Sequence, residues 1–489
     1  MRARIPLLML VLLTALSCGR GLHDPVFSGR EPRIFPDYRD VTIPATIAPL
    51  NFSMDQAERV DVTLTGEDGT VLHVHGSMAR FPRRAWRKLL QANVGKSIEV
   101  EAYGFTEGQW MQHRPFHFYV SEDAIDYGLA YRLILPSYEG MGKLGIYERD
   151  LSSYRQKELI STEEVNGCLN CHSFNQCDPK NLSLHVRGAY GGTLIRQQAE
   201  LKAFDTKTDS TISSCVYPYW HPSGNYIAYS NNTTRQGFYQ RAENVLEVFD
   251  YASDIVVYDI RNNRLLSCPL LKSESAWETF PAFSPDGKSL YFCSAAPKAI
   301  PQQLSEIRYN LCRIAFDPES GRFGDRVDTL VLAAPAGFSV SFPRPSFDGK
   351  YLMYTVSSFG NFTIWHRDAD LCLLDLATGA SWNLASANSP DAADSYHNWS
   401  SNSRWFVFGS RRDDGVHTRA YICHIDADGV PGKPFLLPQK KPRDYYDTML
   451  RSFNIPEFVT EPVSLNSHKA WRLLRRGKKE QFNYGTDIP

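Results

Sequence analysis

One pattern recurs four times in the C-terminal half of the chain and constrains the fold more than any other feature. It reads Tyr217-Pro-Tyr-Trp-His-Pro-Ser-Gly-Asn-Tyr-Ile-Ala-Tyr-Ser, Phe280-Pro-Ala-Phe-Ser-Pro-Asp-Gly-Lys-Ser-Leu-Tyr-Phe-Cys-Ser, Phe342-Pro-Arg-Pro-Ser-Phe-Asp-Gly-Lys-Tyr-Leu-Met-Tyr-Thr and Tyr396-His-Asn-Trp-Ser-Ser-Asn-Ser-Arg-Trp-Phe-Val-Phe-Gly-Ser. Each copy is an aromatic strand, a tight turn and an apolar strand. A third strand ending at an acid follows each, at Asp259, Asp317, Asp375 and Asp426. The Ser-Gly and Asp-Gly pairs suit tight hairpins, because glycine accepts positive φ without a Cβ clash. A unit repeated at this spacing cannot bury its faces alone and must stack on its neighbours. The 489 residues include 25 Tyr, 27 Phe, 32 Gly and 29 Pro, a turn-rich β composition and not that of a helical bundle.

These copies resemble the TolB-like, WD40-like propeller repeats, the Phe283-Ser-Pro-Asp-Gly-Lys288 core most closely. The resemblance covers about residues 181–465 and implies a β-propeller. An earlier fragment, Leu182-Ser-Leu-His-Val-Arg with Gly192-Thr-Leu-Ile and Leu201-Lys-Ala-Phe, has inner-blade strands but lacks a first strand. Asn454-Ile-Pro-Glu-Phe458 looks like that missing strand, which would close the ring by joining both ends in one blade. The count is then five blades, with four and six as the alternatives.

Upstream the pattern changes. Residues 41–122 alternate with period two, as in Val60-Asp-Val-Thr-Leu-Thr and Ser97-Ile-Glu-Val-Glu-Ala, which predicts hairpins in a small β-sandwich. A short helix is expected from Pro82 to Ala92, with Trp86, Leu89 and Leu90 on one face. His73 and His75 share a strand face and would suit a metal, but no third ligand accompanies them in sequence. Residues 123–180 read as a connector, with a strand at Tyr131 and a polar helix from Tyr147 to Ile160.

The chain begins with Arg2 and Arg4, an apolar run from Ile5 to Leu16, and Ser17-Cys18-Gly19. The run is too short to remain as a membrane span and has the layout of an export signal. Its end resembles the lipobox of bacterial lipoproteins, which implies cleavage after residue 17 and lipidation of Cys18; ordinary secretion with Cys18 incidental is the alternative. Residues 1–18 are then a leader and 19–40 a tether. The protein is expected on the periplasmic or cell-surface side of a bacterial membrane, held there by the lipid. Residues 466–489 form a basic tail, read as a solvated helix with membrane or acidic-partner contact as the alternative. Lys plus Arg total 53 against 54 for Asp plus Glu, which rules out a polyanion binder driven by bulk charge, and no nucleic-acid partner is expected.

The connector carries the one motif with strong chemistry, Cys168-Leu-Asn-Cys171-His172. This is the attachment sequence of c-type haem, in which both thiols add to the vinyl groups and the histidine ligates iron. One covalent haem c is therefore expected, on Cys168 and Cys171 with His172 as proximal ligand. Zinc on Cys168, Cys171, His172 and Cys177, a Cys168–Cys171 disulfide and a purely structural role are the alternatives. His185 is the leading candidate for the sixth ligand, ahead of Met141, His221 and His397; an open coordination site is the other outcome. With Cys18, Cys168 and Cys171 set aside, an odd number of the 10 cysteines remains, so at least one is unpaired. Cys177–Cys215 is the first disulfide to test, whereas Cys293, Cys312, Cys372 and Cys423 sit in apolar strands as small hydrophobes.

Taken together, the chain resembles exported bacterial lipoproteins that join a cytochrome c-type motif to a TolB-like propeller. The expected function is electron transfer, with the propeller docking a redox partner of unknown identity. The alternative is an interaction scaffold for protein or peptide with a structural or sensory haem. No Ser-His-Asp order, phosphate loop or paired-carboxylate motif stands out, so no catalytic residue is assigned.

Overall fold

A computed structural model describes residues 24–136, 142–239, 244 and 246–484. The leader with Cys18, the start of the tether and Met141 lie outside the described residues. The protein is mainly β: an N-terminal β-sandwich followed by a propeller of six blades.

Five blades run consecutively, each an antiparallel sheet. Blade 1 comprises Cys168–Asn175, Asp178–Arg187, Gly192–Gln197 and Glu200–Asp205. Blades 2 to 5 begin with the aromatic segments at Val216–Trp220, Trp277–Phe283, Ser339–Pro345 and Asp394–Trp399. Blade 6 takes its inner strand, Ser452–Val459, from the far end of the chain and pairs it antiparallel with Gly128–Ile134. Gly145–Asp150 and Gln156–Ser161 complete that blade. The six inner strands contact one another in sequence around a closed ring.

The same irregularity marks every inner strand. Its pairing slips at a bulge, and one non-glycine residue there has positive φ: Cys171 46°, Tyr217 50°, Phe280 52°, Phe342 51°, Tyr396 55° and Ile455 47°. A left-handed conformation costs an ordinary residue about 1 kcal/mol or more. Its sixfold recurrence makes it part of the architecture, turning one side chain per blade toward the axis. Proline follows in four blades, at Pro218, Pro281, Pro343 and Pro456, where the bulge leaves the missing N–H harmless. His172 and His397 hold that place in the other two.

Four expectations need correction. The blades number six, not five. Ile455-Pro-Glu-Phe458 does close the ring, but against residues 128–161 and not against the fragment at Leu182; that fragment's first strand is Cys168–Asn175 itself. It was hidden because Cys171 stands where other copies carry an aromatic ring. Residues 123–180 are accordingly blade, not connector. The stretch Tyr147–Ile160 is a hairpin and not a helix, because Gly145–Asp150 is buried between two strands that each satisfy its backbone.

In the N-terminal domain the long strand Ser97–Thr106 pairs along one edge with Arg59–Gly66 and along the other with both Gln109–Gln112 and Phe116–Ser121. Its alternate residues Ile98, Val100 and Ala102 are buried with Val60, Val62 and Leu64. The expected helix, Arg83–Ala92, covers this core with Trp86, Leu89 and Leu90. The core is continuous with that of blades 4 and 5, so the sandwich packs directly on the propeller. At the other end a helix, Ser467–Arg476, is solvated on one face but buries Ala470 and Leu474. The residues after it add strands to blades 1 and 2, at Glu480–Gln481 and Asn483–Tyr484, strapping them together.

Candidate functional site: the axial channel and its upper cavity

The residues turned inward by the bulges close the channel at its waist. The rings of Tyr217 and Phe280 lie 4.7 Å apart, Phe280 and Phe342 4.2 Å, and Phe342 and Tyr396 5.1 Å. Blades 2 to 5 thus supply an aromatic arc, and Cys171 and Ile455 complete the circle with non-aromatic side chains. Tyr217 and Tyr396 border the space on both sides of this waist.

Above it opens a cavity of about 520 Å³. Its wall includes Cys168, His185 and Arg187 from blade 1, Arg132 from blade 6, and Trp365 and Arg411 beyond the waist aromatics. Part of a long hairpin in blade 2, Tyr226–Phe238 and Leu246–Asp259, forms another side. Arg132 is fully committed on two nitrogens, donating to Leu169 O, Asn170 Oδ1 and Asn454 Oδ1, each at 2.7 Å. His185 shares a 2.9 Å hydrogen bond between Nδ1 and Thr193 Oγ1. Burial, helped by the Arg187 charge, holds its imidazole down to about pKa 4, so it is neutral at ordinary pH.

Below the waist the space narrows to about 20 Å³, bordered by Cys171, His172, Arg344, His397 and Glu457. His172 is held down to about pKa 3, chiefly by burial and further by the Arg132 charge, and its Nε2 has no hydrogen-bond partner. Burial raises Glu457 to about 7 despite the Phe174 N–H it accepts at 3.0 Å.

The predicted site residues are therefore divided. Cys168 and His185 face the upper cavity, Cys171 belongs to the waist, and His172 lies beneath it. A haem c needs two thiols and an imidazole around one flat slot. As folded here, Cys168 borders the upper cavity while Cys171 and His172 border the lower space, so the three groups do not face one common slot. His221 is used structurally, its Nε2 3.0 Å from Gly287 O, and His397 lines the lower space. His73 pairs with Asp61 at 2.8 Å on an exposed strand. The expected Cys177–Cys215 disulfide is absent: Cys177 Sγ lies against Trp399 O and Cys215 Sγ against Thr206 O, on different partners, and both thiols are free. Cys293, Cys312, Cys372 and Cys423 are buried in their strands.

Arg187 and Arg411 belong to no recognisable sequence motif. Their signal was positional: the second strands of blades 1 and 5 run into arginine, in His185-Val-Arg187 and Gly409-Ser-Arg411. The second strands of blades 3 and 4 run into alanine and serine.

Fold and site together define a six-bladed β-propeller with an N-terminal β-sandwich and a charged cavity at one mouth of its channel. No family model matches the chain, and no curated protein does. Among solved structures it aligns with prolyl oligopeptidase B from Galerina marginata bound to a 25mer macrocyclization substrate, at 11% identity and TM-score 0.37. That alignment covers 68% of this chain and 42% of the peptidase, so the chain spans less than half of its length. A DUF4784 family protein from Bacteroides caccae aligns at 9% identity and TM-score 0.30, over 72% of this chain and 94% of that one. The β-propeller domain of the Trilobed protease from Pyrococcus furiosus aligns at 7% and 0.33, over 70% and 95%. At these TM-scores the likenesses carry no weight, and the six-sheet ring rests on its strand pairing.

Proposed function

We propose that the protein is an exported, lipid-anchored binding propeller that takes its ligand into the upper cavity. The carrying observation is the cavity itself, sealed beneath by the aromatic waist and large enough for a small molecule or the end of a peptide. Cys168 supplies the test, because it is the one exposed thiol among the described cysteines and borders this cavity. Capping it with a bulky maleimide should abolish the thermal stabilisation given by any ligand found in a metabolite and peptide screen. Ligands that stabilise the capped protein equally would place binding elsewhere.

A second reading is electron transfer through covalent haem. It is favoured by the Cys168-x-x-Cys171-His172 spacing and by the buried, unpartnered Nε2 of His172. It requires the inner strand of blade 1 to rearrange so that Cys171 and His172 join Cys168. Coexpressed with a haem-attachment system, the protein should then give a pyridine haemochrome for one haem, lost in the Cys168→Ser, Cys171→Ser double variant. A colourless product removes this reading and leaves the first intact.

A further inference from the structure

Arg411 follows the second strand of blade 5 and is 4% exposed, yet its Nε and Nη1 have no hydrogen-bond acceptor. Its neighbour shows how unusual that is. Arg412 pairs with Asp394 at 2.9 Å and donates to Ser410 Oγ and Ala387 O. Arg419, equally buried, donates to the carbonyls of Tyr446, Met449 and Arg451. Arg411 only lies over the Trp365 ring at the cavity wall. Asp414, an acid whose charge it feels, is taken by the His417 ring and by the backbone N–H groups of Val416 and His417.

A buried guanidinium without an acceptor is expensive, because it has lost water and gained nothing in return. Burial pulls its pKa down to about 9, still charged at neutral pH. Across the cavity Arg187 is exposed, makes no ion pair among the described residues, and sits directly opposite Cys168 in the strand register. The described lining of the cavity contains three arginines and no carboxylate, in a chain whose net charge is -1. Tyr217, Tyr396 and Trp365 supply flat apolar surface beside the charges.

Building on the binding role proposed for this cavity, we infer that its ligand is an organic oxyanion. Its carboxylate or phosphate group meets Arg411, with Arg187 at the rim, and its flat apolar body lies against the aromatic floor. Guanidinium and oxyanion match in a bidentate geometry, which supplies the acceptors that Arg411 lacks.

Matched probes test the charge: benzoate and phenyl phosphate, with benzyl alcohol and benzamidine as neutral and cationic controls, and inorganic phosphate as the bare ion. Calorimetry on the full-length protein should show both aromatic oxyanions binding at least about tenfold more tightly than either control. Benzoate exceeding phenyl phosphate assigns a carboxylate, and the reverse order a phosphoryl group. Arg411→Met should weaken both by about tenfold or more while leaving the ligand-free melting temperature equal or higher, since an unpaired buried charge is removed. Arg411→Lys should retain part of the affinity. A lower ligand-free melting temperature with unchanged affinity would make Arg411 a structural residue and overturn the inference. Benzyl alcohol binding as tightly as benzoate, blocked by the Cys168 cap, would also overturn it and keep the cavity as a site. Inorganic phosphate binding as tightly as phenyl phosphate would leave an adventitious ion only. Probe binding that ignores the cap, or no binding by any probe, overturns the inference together with the cavity reading.

Discussion

Cys171 and Tyr396 occupy the same backbone position in two blades, with φ of 46° and 55°, but only Tyr396 carries a ring to its neighbour, 5.1 Å from that of Phe342. The aromatic closure of the channel is thus an arc of four, thinned where blades 1 and 6 contribute Cys171 and Ile455. Cys168, His185, Arg187 and Arg132 all come from those two blades. The segment that carries the Cys168-x-x-Cys171-His172 spacing is, in space, the inner strand of blade 1.

Phe280 lies inside the arc, its ring meeting both Tyr217 and Phe342 and being 2% exposed. Phe280→Ala should lower stability by about 3–5 kcal/mol, from lost burial plus the void left among rings that cannot collapse inward. Urea unfolding measures this; a loss below about 1 kcal/mol would mean that the waist repacks.

Glu278 and Asp254 are buried close enough for their charges to repel. Burial first, and then Asp254, raises Glu278 to about 8, while burial raises Asp254 to about 6 against the pull of Lys272. Both carboxyls hold protons in the folded state at pH values where the unfolded chain has released them. The contribution of this pair to stability should therefore fall as pH rises from about 4.5 to 8 and level off above, opposite in sign to that of the buried neutral histidines below about pH 6.5. Glu278→Gln should flatten that slope and stabilise the protein at pH 8 by about 1–2 kcal/mol. Melting curves across the range check the sign, and an unchanged slope in the variant would refute the assignment.

Truncation after residue 440 removes the inner strand of blade 6 and leaves Gly128–Ile134 with an open edge. It also strips Tyr131 of the tilted ring of Phe453, 4.7 Å away. An unpaired apolar edge is a template for association, so the truncated protein should aggregate on light-scattering measurement. A monomeric truncation with wild-type melting would show that the ring does not need this strand.

Lipid anchoring is tested at Cys18. Cys18→Ala should move the protein from the membrane pellet to the soluble fraction, because no acyl chain can then be added. Unchanged fractionation would assign membrane association to another part of the chain.

Blades 2 to 5 were legible from sequence because everything that specifies them is local. Tyr217, Phe280, Phe342 and Tyr396 each lie in a strand that a turn of a few residues folds back on the next, and an apolar third strand follows. The same holds for the helix at Arg83–Ala92, whose buried residues repeat at helical spacing. Arg187 and Arg411, by contrast, lie in blades 1 and 5 and have no common motif to announce that they border one cavity.

The sequence by itself determined that this chain would be a ring of β blades, because a repeated amphipathic unit has no other way to cover its two faces. Only the tertiary structure decided the number of blades, since blade 6 pairs strands more than 300 residues apart, as Leu133 with Phe453. Closure also decided what Cys168, Cys171 and His172 face. The adjacent Cys171 and His172 were set within and below the waist by a single bulge with a left-handed residue, while Cys168, three residues earlier, borders the cavity above. Spacing along a strand cannot reveal that division, because it depends on which neighbours the completed ring brings against each side chain.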